Sequence, residues 1–272
     1  MQIRLAENFA ENNQKRNNRM PEKYDVVIVT RGEWTLPYAI RAARRIIPIN
    51  NLILVTTSNF LDEAKKLGNI CIGFDESNVG KARAEGLKHV ETSLYVSVDS
   101  DVQVTPQWFR WCSRTIQQPD VAACNGWERT MGKYDPIVKE KIIRKGGSRF
   151  CGLGNTFLKT YIIKKVGMPC IKADEDRILR DRIEALGYKW ISNVDVVCHH
   201  IKNDVDMWKS YARFARLEKR IDKIERVALR IPYNLTFGIA KRPFMENLYI
   251  VSVELSLLYG KLLGAVDRIF HF

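Results

Sequence analysis

Continuous apolar runs alternate with stretches of helical spacing through residues 24–200. Val26-Val27-Ile28-Val29 is an unbroken β-branched run, the pattern of a strand buried on both faces of a parallel sheet. Residues 35–47 follow with helical spacing and stop at Pro48, which disfavours helix in the residue before it. Leu52-Ile53-Leu54-Val55 predicts a second buried strand, residues 61–67 a short helix and residues 70–74 a third strand. A helix over 80–90 and a strand at Leu94-Tyr95-Val96-Ser97-Val98 complete the first part. This alternation predicts βαβ units, and so an α/β domain with a mostly parallel, Rossmann-like sheet flanked by helices.

The pattern then loosens. Residues 106–116 read as a helix, 121–124 as a short strand and 129–150 as a basic loop region. Helices are expected over 160–166 and 174–186, with Gly187 as C-cap, before a last strand over 189–199. Residues 1–21 form a polar arm without apolar periodicity after Phe9, so the domain is expected to span 22–203. Beyond it, over 204–272, the chain turns helical. Phe214, Leu217, Ile221, Ile224, Ala228 and Ile231 recur every three or four residues, flanked by Arg and Lys. Residues 244–272 resume an apolar segment interrupted by Glu246, Glu254, Lys261 and Asp267.

Composition narrows the classes. In 272 residues, 46% hydrophobic positions are enough for a real core and argue against disorder throughout. The net charge of +13 calls for an anionic partner: nucleic acid, a phosphorylated small molecule or an acidic membrane face. The six cysteines include no C-x-x-C pair, so neither a zinc ribbon nor a thioredoxin-type site is signalled, and they read as reduced thiols of an intracellular protein. The first twenty residues lack the apolar core of a secretory signal, and no uncharged run reaches the roughly 18–20 residues of a spanning helix.

Ligands of open α/β sheets sit outside the carboxyl ends of the strands. That rule singles out Thr30-Arg31, Thr56-Thr57-Ser58 and Asp99-Ser100-Asp101. Two carboxylates one residue apart at a strand end can converge on one hard divalent cation, and such a cation commonly bridges to phosphates. The same residues could equally cap the helix that follows.

The surroundings of that run bring in a resemblance. Asn78-Val79-Gly80-Lys81-Ala82-Arg83-Ala84-Glu85-Gly86, followed by the strand into Asp99-Ser100-Asp101, resembles the family 2 glycosyltransferases, inverting enzymes of GT-A fold. Their order is N-x-G, A-R-N-x-G and then D-x-D, with Ala84 here where the family usually has Asn. The run from Asp174 to Arg182, ending at Gly187-Tyr188-Lys189, resembles the family's E-D-x-x-L-x-x-R and G-Y-K/R segments. The likeness covers about residues 24–200. It implies that Asp99 and Asp101 hold Mn2+ or Mg2+, with His199, favoured over His200, completing the shell. It makes Glu175-Asp176 the acidic pair, with Asp176 as catalytic base. Asp176 at a helix start could also serve only to complement the macrodipole. Thr30, Arg31, Arg83, Asp99, Ser100, Gly152, Gly154 and Lys202 are the expected nucleotide-sugar contacts. The family's base-binding Asp after the second strand is replaced by Val55-Thr56-Thr57-Ser58, and Asp75 is the substitute on offer.

By this resemblance the chain is expected to move a sugar, with inversion, from a GDP- or UDP-linked donor. The basic C-terminal segment has three readings: an amphipathic helix packed on the core, a nucleic-acid surface without any recognised binding motif, or a membrane-surface anchor. The last suits a lipid-linked or polyprenyl-phosphate acceptor and a peripheral place on the cytoplasmic face of the membrane. A sugar nucleotidyltransferase and a non-catalytic basic nucleic-acid-binding module are the rivals; Thr30-Arg31-Gly32-Glu33-Trp34 is a poor version of the former's Gly-rich loop.

Overall fold

β-branched and aliphatic runs build the centre of the sheet in the computed structural model, which describes residues 23–133, 150–203 and 244–270 together with positions 137, 205–207, 209 and 212. Its strands are β1 (Tyr24–Val29), β2 (Ile49–Thr56), β3 (Ile70–Gly73), β4 (Leu94–Asp99), β5 (Val102–Gln103), β6 (Val121–Thr130), β7 (Asn155–Lys159) and β8 (Lys189–His200). They form one sheet in the order β3-β2-β1-β4-β7-β6-β8-β5. The β1–β2, β2–β3, β1–β4 and β6–β8 pairs are parallel; β4–β7, β6–β7 and β5–β8 are antiparallel. The sheet is therefore mixed. Its antiparallel pairs arise where β7 inserts between β4 and β6 and where β5 joins the edge at β8.

Alternation along the strands sends side chains to two cores. Val26 and Ile28 of β1 pack with Leu36, Ile40 and Ala43 of α1 (Leu36–Ile46) and Trp108, Cys112 and Ile116 in and beside α4 (Pro106–Thr115). Val27 faces the other way, with Leu87 of α3 (Val79–Lys88), Ile162 and Ile163 of α5 (Thr160–Val166) and Leu179 and Ile183 of α6 (Glu175–Ala185). A short α2 (Leu61–Lys65) joins β2 to β3. Burying both faces is what the continuous apolar runs required.

Helix starts follow local chemistry. Asn78 Oδ1 accepts from the Lys81 amide at 3.0 Å to cap α3, and Thr105 Oγ1 accepts from the Trp108 amide at 3.2 Å ahead of Pro106. In the first turn of α3, a Cβ at Gly80 would run into the carbonyl oxygens of Pro169 and Ile171. Only glycine lets α3 lie this close to the segment leading into α6.

Most expected elements form within a residue or two of their sequence bounds. Among the exceptions, β2 starts at Ile49, three residues before the expected Leu52. β6 continues to Thr130, past the expected end at Cys124 and just into the expected loop region, because its outer end pairs with Val197–His200 of β8 after a register shift at Gly126/Trp127. β7 begins at Asn155, so Gly152 and Gly154 occupy the turn before it. The expected arm at 1–21 and the stripe from Phe214 to Ile231 lie outside the described residues. α7 (Phe244–Phe270) is helical as expected, with Leu248, Leu255, Tyr259 and Leu262 exposed. Among the described residues, no helix is both long and apolar enough to cross a membrane.

Candidate active site at the strand tips

The register of β1 with its neighbours aligns Val29 with Val55 on one side and Asp99 on the other. Thr30, Thr56 and Ser100 therefore share one edge, at the point where strand order reverses, and a cleft of about 590 Å³ opens there. Thr30, Arg31, Arg83, Asp99, Ser100, Asp101, Glu175 and Asp176 all line it, so eight of the residues expected from sequence converge on one cavity.

Arg83 organises its floor. The guanidinium, on buried α3, donates to Asp99 Oδ1 at 2.5 Å and to Glu175 Oε1, joining the tip of β4 to the start of α6. Burial alone would weaken its charge, but Asp99 and then Glu175 outweigh that and hold its pKa above the ordinary value. A fork of fixed N–H donors can meet two carboxylates at once, which an ammonium cannot.

Asp101 lies on the opposite side of the turn. Its Oδ2 is 2.9 Å from Lys202 Nζ and 3.2 Å from His200 Nε2. Burial pushes its carboxyl upward, yet His200 and Lys202 together hold it well below the usual carboxylate range. His200 Nε2 is buried and has no hydrogen-bond partner despite that proximity. Glu128 Oε2 stands 3.7 Å from the other ring nitrogen, and Asn155 Nδ2 donates to Glu128 Oε1 at 3.0 Å. Among the described residues no three acidic, histidine or cysteine side chains share one metal-sized centre. Asp101 and His200 are the residues here that could hold a cation: an ionised carboxylate 3.2 Å from a buried imidazole nitrogen. Small hard cations are commonly held in this way, by one or two protein donors plus phosphate oxygens and water. The histidine expected here was His199. Alternation along β8 instead turns His200 inward and leaves His199 exposed.

Asp176 lies one residue beyond Glu175 in the first turn of α6. Burial, then the neighbouring charge of Glu175, raises its pKa to about 6. The turn before it is unusual: Asp174 adopts a left-handed φ of 67° as a non-glycine residue, and its carboxylate accepts from Arg177 at 3.1 Å. Such conformations persist only where the surroundings impose them, and they concentrate at functional sites.

Around the cleft lie further residues, of which sequence reasoning assigned neither Glu33 nor Glu128; Gly152, Gly154 and Lys202, expected as contacts, are not among the residues lining it. Glu33 Oε2 accepts from Thr30 Oγ1 (2.6 Å), the Arg31 amide (2.9 Å) and Ser100 Oγ (3.0 Å), tying the turn after β1 to the turn after β4. Burial opposes its ionisation, but these bonds prevail and lower its pKa. Arg31 bridges the cleft to Ser77 at 2.8 Å. Asp75 is bonded to the Ser58 amide and hydroxyl at 2.7 and 2.6 Å, beside Phe74 and Thr57. Gly154 packs against Asp99 and Glu128 so closely that a Cβ would collide with both carboxylates, whereas a Cβ at Gly152 would meet Glu128 only at 3.8 Å. Glu128 had no signal beyond its charge; only the pairing of β6 with β8 brings it to His200.

No protein-family model matches the sequence, and no curated protein matches it. Solved structures do. A mannosyltransferase from Pyrobaculum calidifontis, in complex with GDP-Man and Mn2+, superposes over 93% of this chain and 77% of its own with TM-score 0.57 and 13% identity. Glucosyl-3-phosphoglycerate synthase from Mycobacterium tuberculosis, bound to Mn2+, UDP and phosphoglyceric acid, covers 69% of this chain and 73% of its own at TM-score 0.52 and 15% identity. TarS from S. aureus matches 71% of this chain over 39% of its own length, at TM-score 0.50 and 14% identity. The architecture is the GT-A fold of glycosyltransferases.

The Arg83 bridge generates one quantitative expectation. Arg83→Met strands Glu175 as an unpaired buried charge and lowers stability by about 3–5 kcal/mol in denaturant melts. Arg83→Met combined with Glu175→Gln recovers part of that loss. A single variant as stable as the parent would show that the bridge contributes nothing.

Proposed function

We propose that the chain is a metal-dependent, inverting glycosyltransferase that uses a nucleotide-diphosphate sugar. The observation that carries this reading is that Asp101, with His200 3.2 Å from its carboxylate, and the half-buried Asp176 line one strand-tip cleft of GT-A architecture. The likeness to nucleotide-sugar enzymes crystallised with Mn2+ supports it.

In this reading Thr30, Arg31 and the Asp75–Ser58 corner bound the nucleoside of a GDP- or UDP-linked donor. Asp101 and His200 would hold Mn2+ or Mg2+, which would supply Lewis-acid neutralisation of the departing diphosphate. Asp99, fixed by Arg83, presents its second oxygen to the same region, and Gly152 and Gly154 admit the sugar next to the backbone. Where the acceptor attacks through a hydroxyl, Asp176 accepts its proton as it attacks the anomeric carbon; a phosphate-anion acceptor has no such proton to lose, and Asp176 then only positions it. Burial makes Asp176 a stronger base than an ordinary aspartate and still leaves it ionised at neutral pH. Attack opposite the leaving diphosphate inverts the sugar.

The acceptor is proposed to be a lipid-linked or polyprenyl-phosphate molecule met at the cytoplasmic face of the membrane. A net charge of +13 favours acidic headgroups, and the exposed Leu248, Leu255, Tyr259 and Leu262 of α7 offer apolar side chains for an interface. Residues 22–203 then form the catalytic domain and 204–272 the attachment.

With Mn2+ and a panel of GDP- and UDP-sugars, the full chain is expected to release nucleoside diphosphate, and Asp101→Ala to lose at least about 100-fold in that rate. Release of pyrophosphate from nucleoside triphosphates would instead establish a nucleotidyltransferase. Below about pH 6 Asp176 becomes protonated and cannot accept a proton, so kcat/KM should fall tenfold per pH unit there. A profile flat from pH 5 to 8 would remove Asp176 from the base role. Vesicles of anionic phospholipid should pellet the full chain, with Leu255→Ser/Leu262→Ser reducing partition by about tenfold or more. Equal pelleting would dispose of the α7 attachment.

A further inference from the structure

The cation already seated at Asp101 is part of the protein. Lys202 Nζ lies 2.9 Å from Asp101 Oδ2, the oxygen that also faces His200 Nε2, and its nearest opposite charges include Asp99 and Glu128 as well. The ammonium thus sits on the Asp101 carboxylate, with the charges of Asp99 and Glu128 adding to its hold. Its main chain is pinned: Ile201 N donates to Asp101 O at 2.8 Å, Lys202 N to His200 O at 2.8 Å and Met131 N to Lys202 O at 2.9 Å. The head sits on a flexible four-carbon stem, 29% exposed, so it can leave while the backbone stays.

We infer that Lys202 is a resident counter-ion of the cation site, expelled by the incoming divalent ion and handed to the donor's diphosphate. This rests on the metal-dependent reading above and adds an order to it. Two cations cannot share Asp101 Oδ2 at bonding distance without strong repulsion in a partly desolvated cleft. A divalent ion entering alone must break the Lys202–Asp101 contact and leave the ammonium without an equivalent partner. A diphosphate entering with the ion supplies one, within reach of a swing of the side chain. Metal and nucleotide therefore bind cooperatively, and by linkage each raises the other's affinity by the same factor. A free divalent ion is held weakly, and so is a metal-free nucleotide, because drawing Lys202 to its phosphates strips Asp101 of the counter-ion 2.9 Å away.

The test is Mn2+ binding to the full chain, read from the electron paramagnetic resonance of free Mn2+, with and without saturating UDP or GDP. The parent should bind Mn2+ weakly alone and about tenfold or more tighter with whichever nucleoside diphosphate it accepts. Lys202→Met, which keeps the stem and removes the charge, should bind Mn2+ alone about tenfold tighter than the parent and gain less from the nucleotide. Lys202→Arg, which keeps a cation there, should behave as the parent does and serves as the folding control. If Lys202→Met binds Mn2+ alone no tighter than the parent, while nucleotide still strengthens binding in the parent, the resident-cation inference is overturned and the metal-dependent reading stands. If the parent binds no Mn2+ even with either nucleotide, the metal-dependent reading itself fails and takes the inference with it.

Discussion

A single buried guanidinium holds together the parts of this protein that the rest of the cleft is built around. Arg83 reaches Asp99 across 16 residues of chain and Glu175 across 92. Buried charges are tolerated only in company, so none of the three elements that carry them can settle without the others. α3 must pack on the sheet for Arg83 to be buried, β4 must end where Asp99 meets it, and α6 must begin where Glu175 does. The close approach at Gly80, which lets α3 touch the segment before α6, serves the same junction. Once α6 starts there, Asp176 is carried into the cleft one residue later.

That constraint also divides labour between the two aspartates of the Asp99-Ser100-Asp101 run. Asp99 is bound to Arg83 and belongs to the frame. Asp101 is turned to the far side of the same turn, where the end of β8 supplies His200 and Lys202. Ser100 between them is fastened through Glu33 to the turn after β1. The three turns at the tips of β1, β4 and β8 thus form one electrostatic unit. Asp99 on it is matched by a fixed guanidinium, Glu33 by hydroxyl and amide donors, and Asp101 by a lysine whose head can move. The guanidinium pairing confers rigidity; the lysine pairing leaves room for exchange of one cation for another.

Much of this was legible in the residues. Continuous β-branched runs at Val26-Val27-Ile28-Val29 and Leu52-Ile53-Leu54-Val55 can only be buried on both faces, so the α/β sheet and its strand-tip cleft followed from pattern alone. Arg83, Asp99, Asp101, Glu175 and Asp176 stood out because their spacing resembled that of a known family, and all five line the cavity. Local signals also located most helix bounds, since Asn78, Thr105 and Pro106 act within a few residues of themselves.

What only the tertiary structure decided is everything that depends on strands pairing far apart in sequence. Whether His199 or His200 faces inward is a matter of phase along β8, and a one-residue difference in phase reverses it. Glu128 acquires a role only because β6 runs on past its expected end to pair with the tip of β8. Glu33 becomes a clasp only because the turns after β1 and β4 meet. The raised pKa of Asp176 comes from burial and from Glu175 held beside it, and burial is a property of assembled surfaces, not of an acidic pair in a string. Sequence specifies what each segment must hide from water; which charges then find themselves face to face is decided by register and layer, which no local pattern encodes.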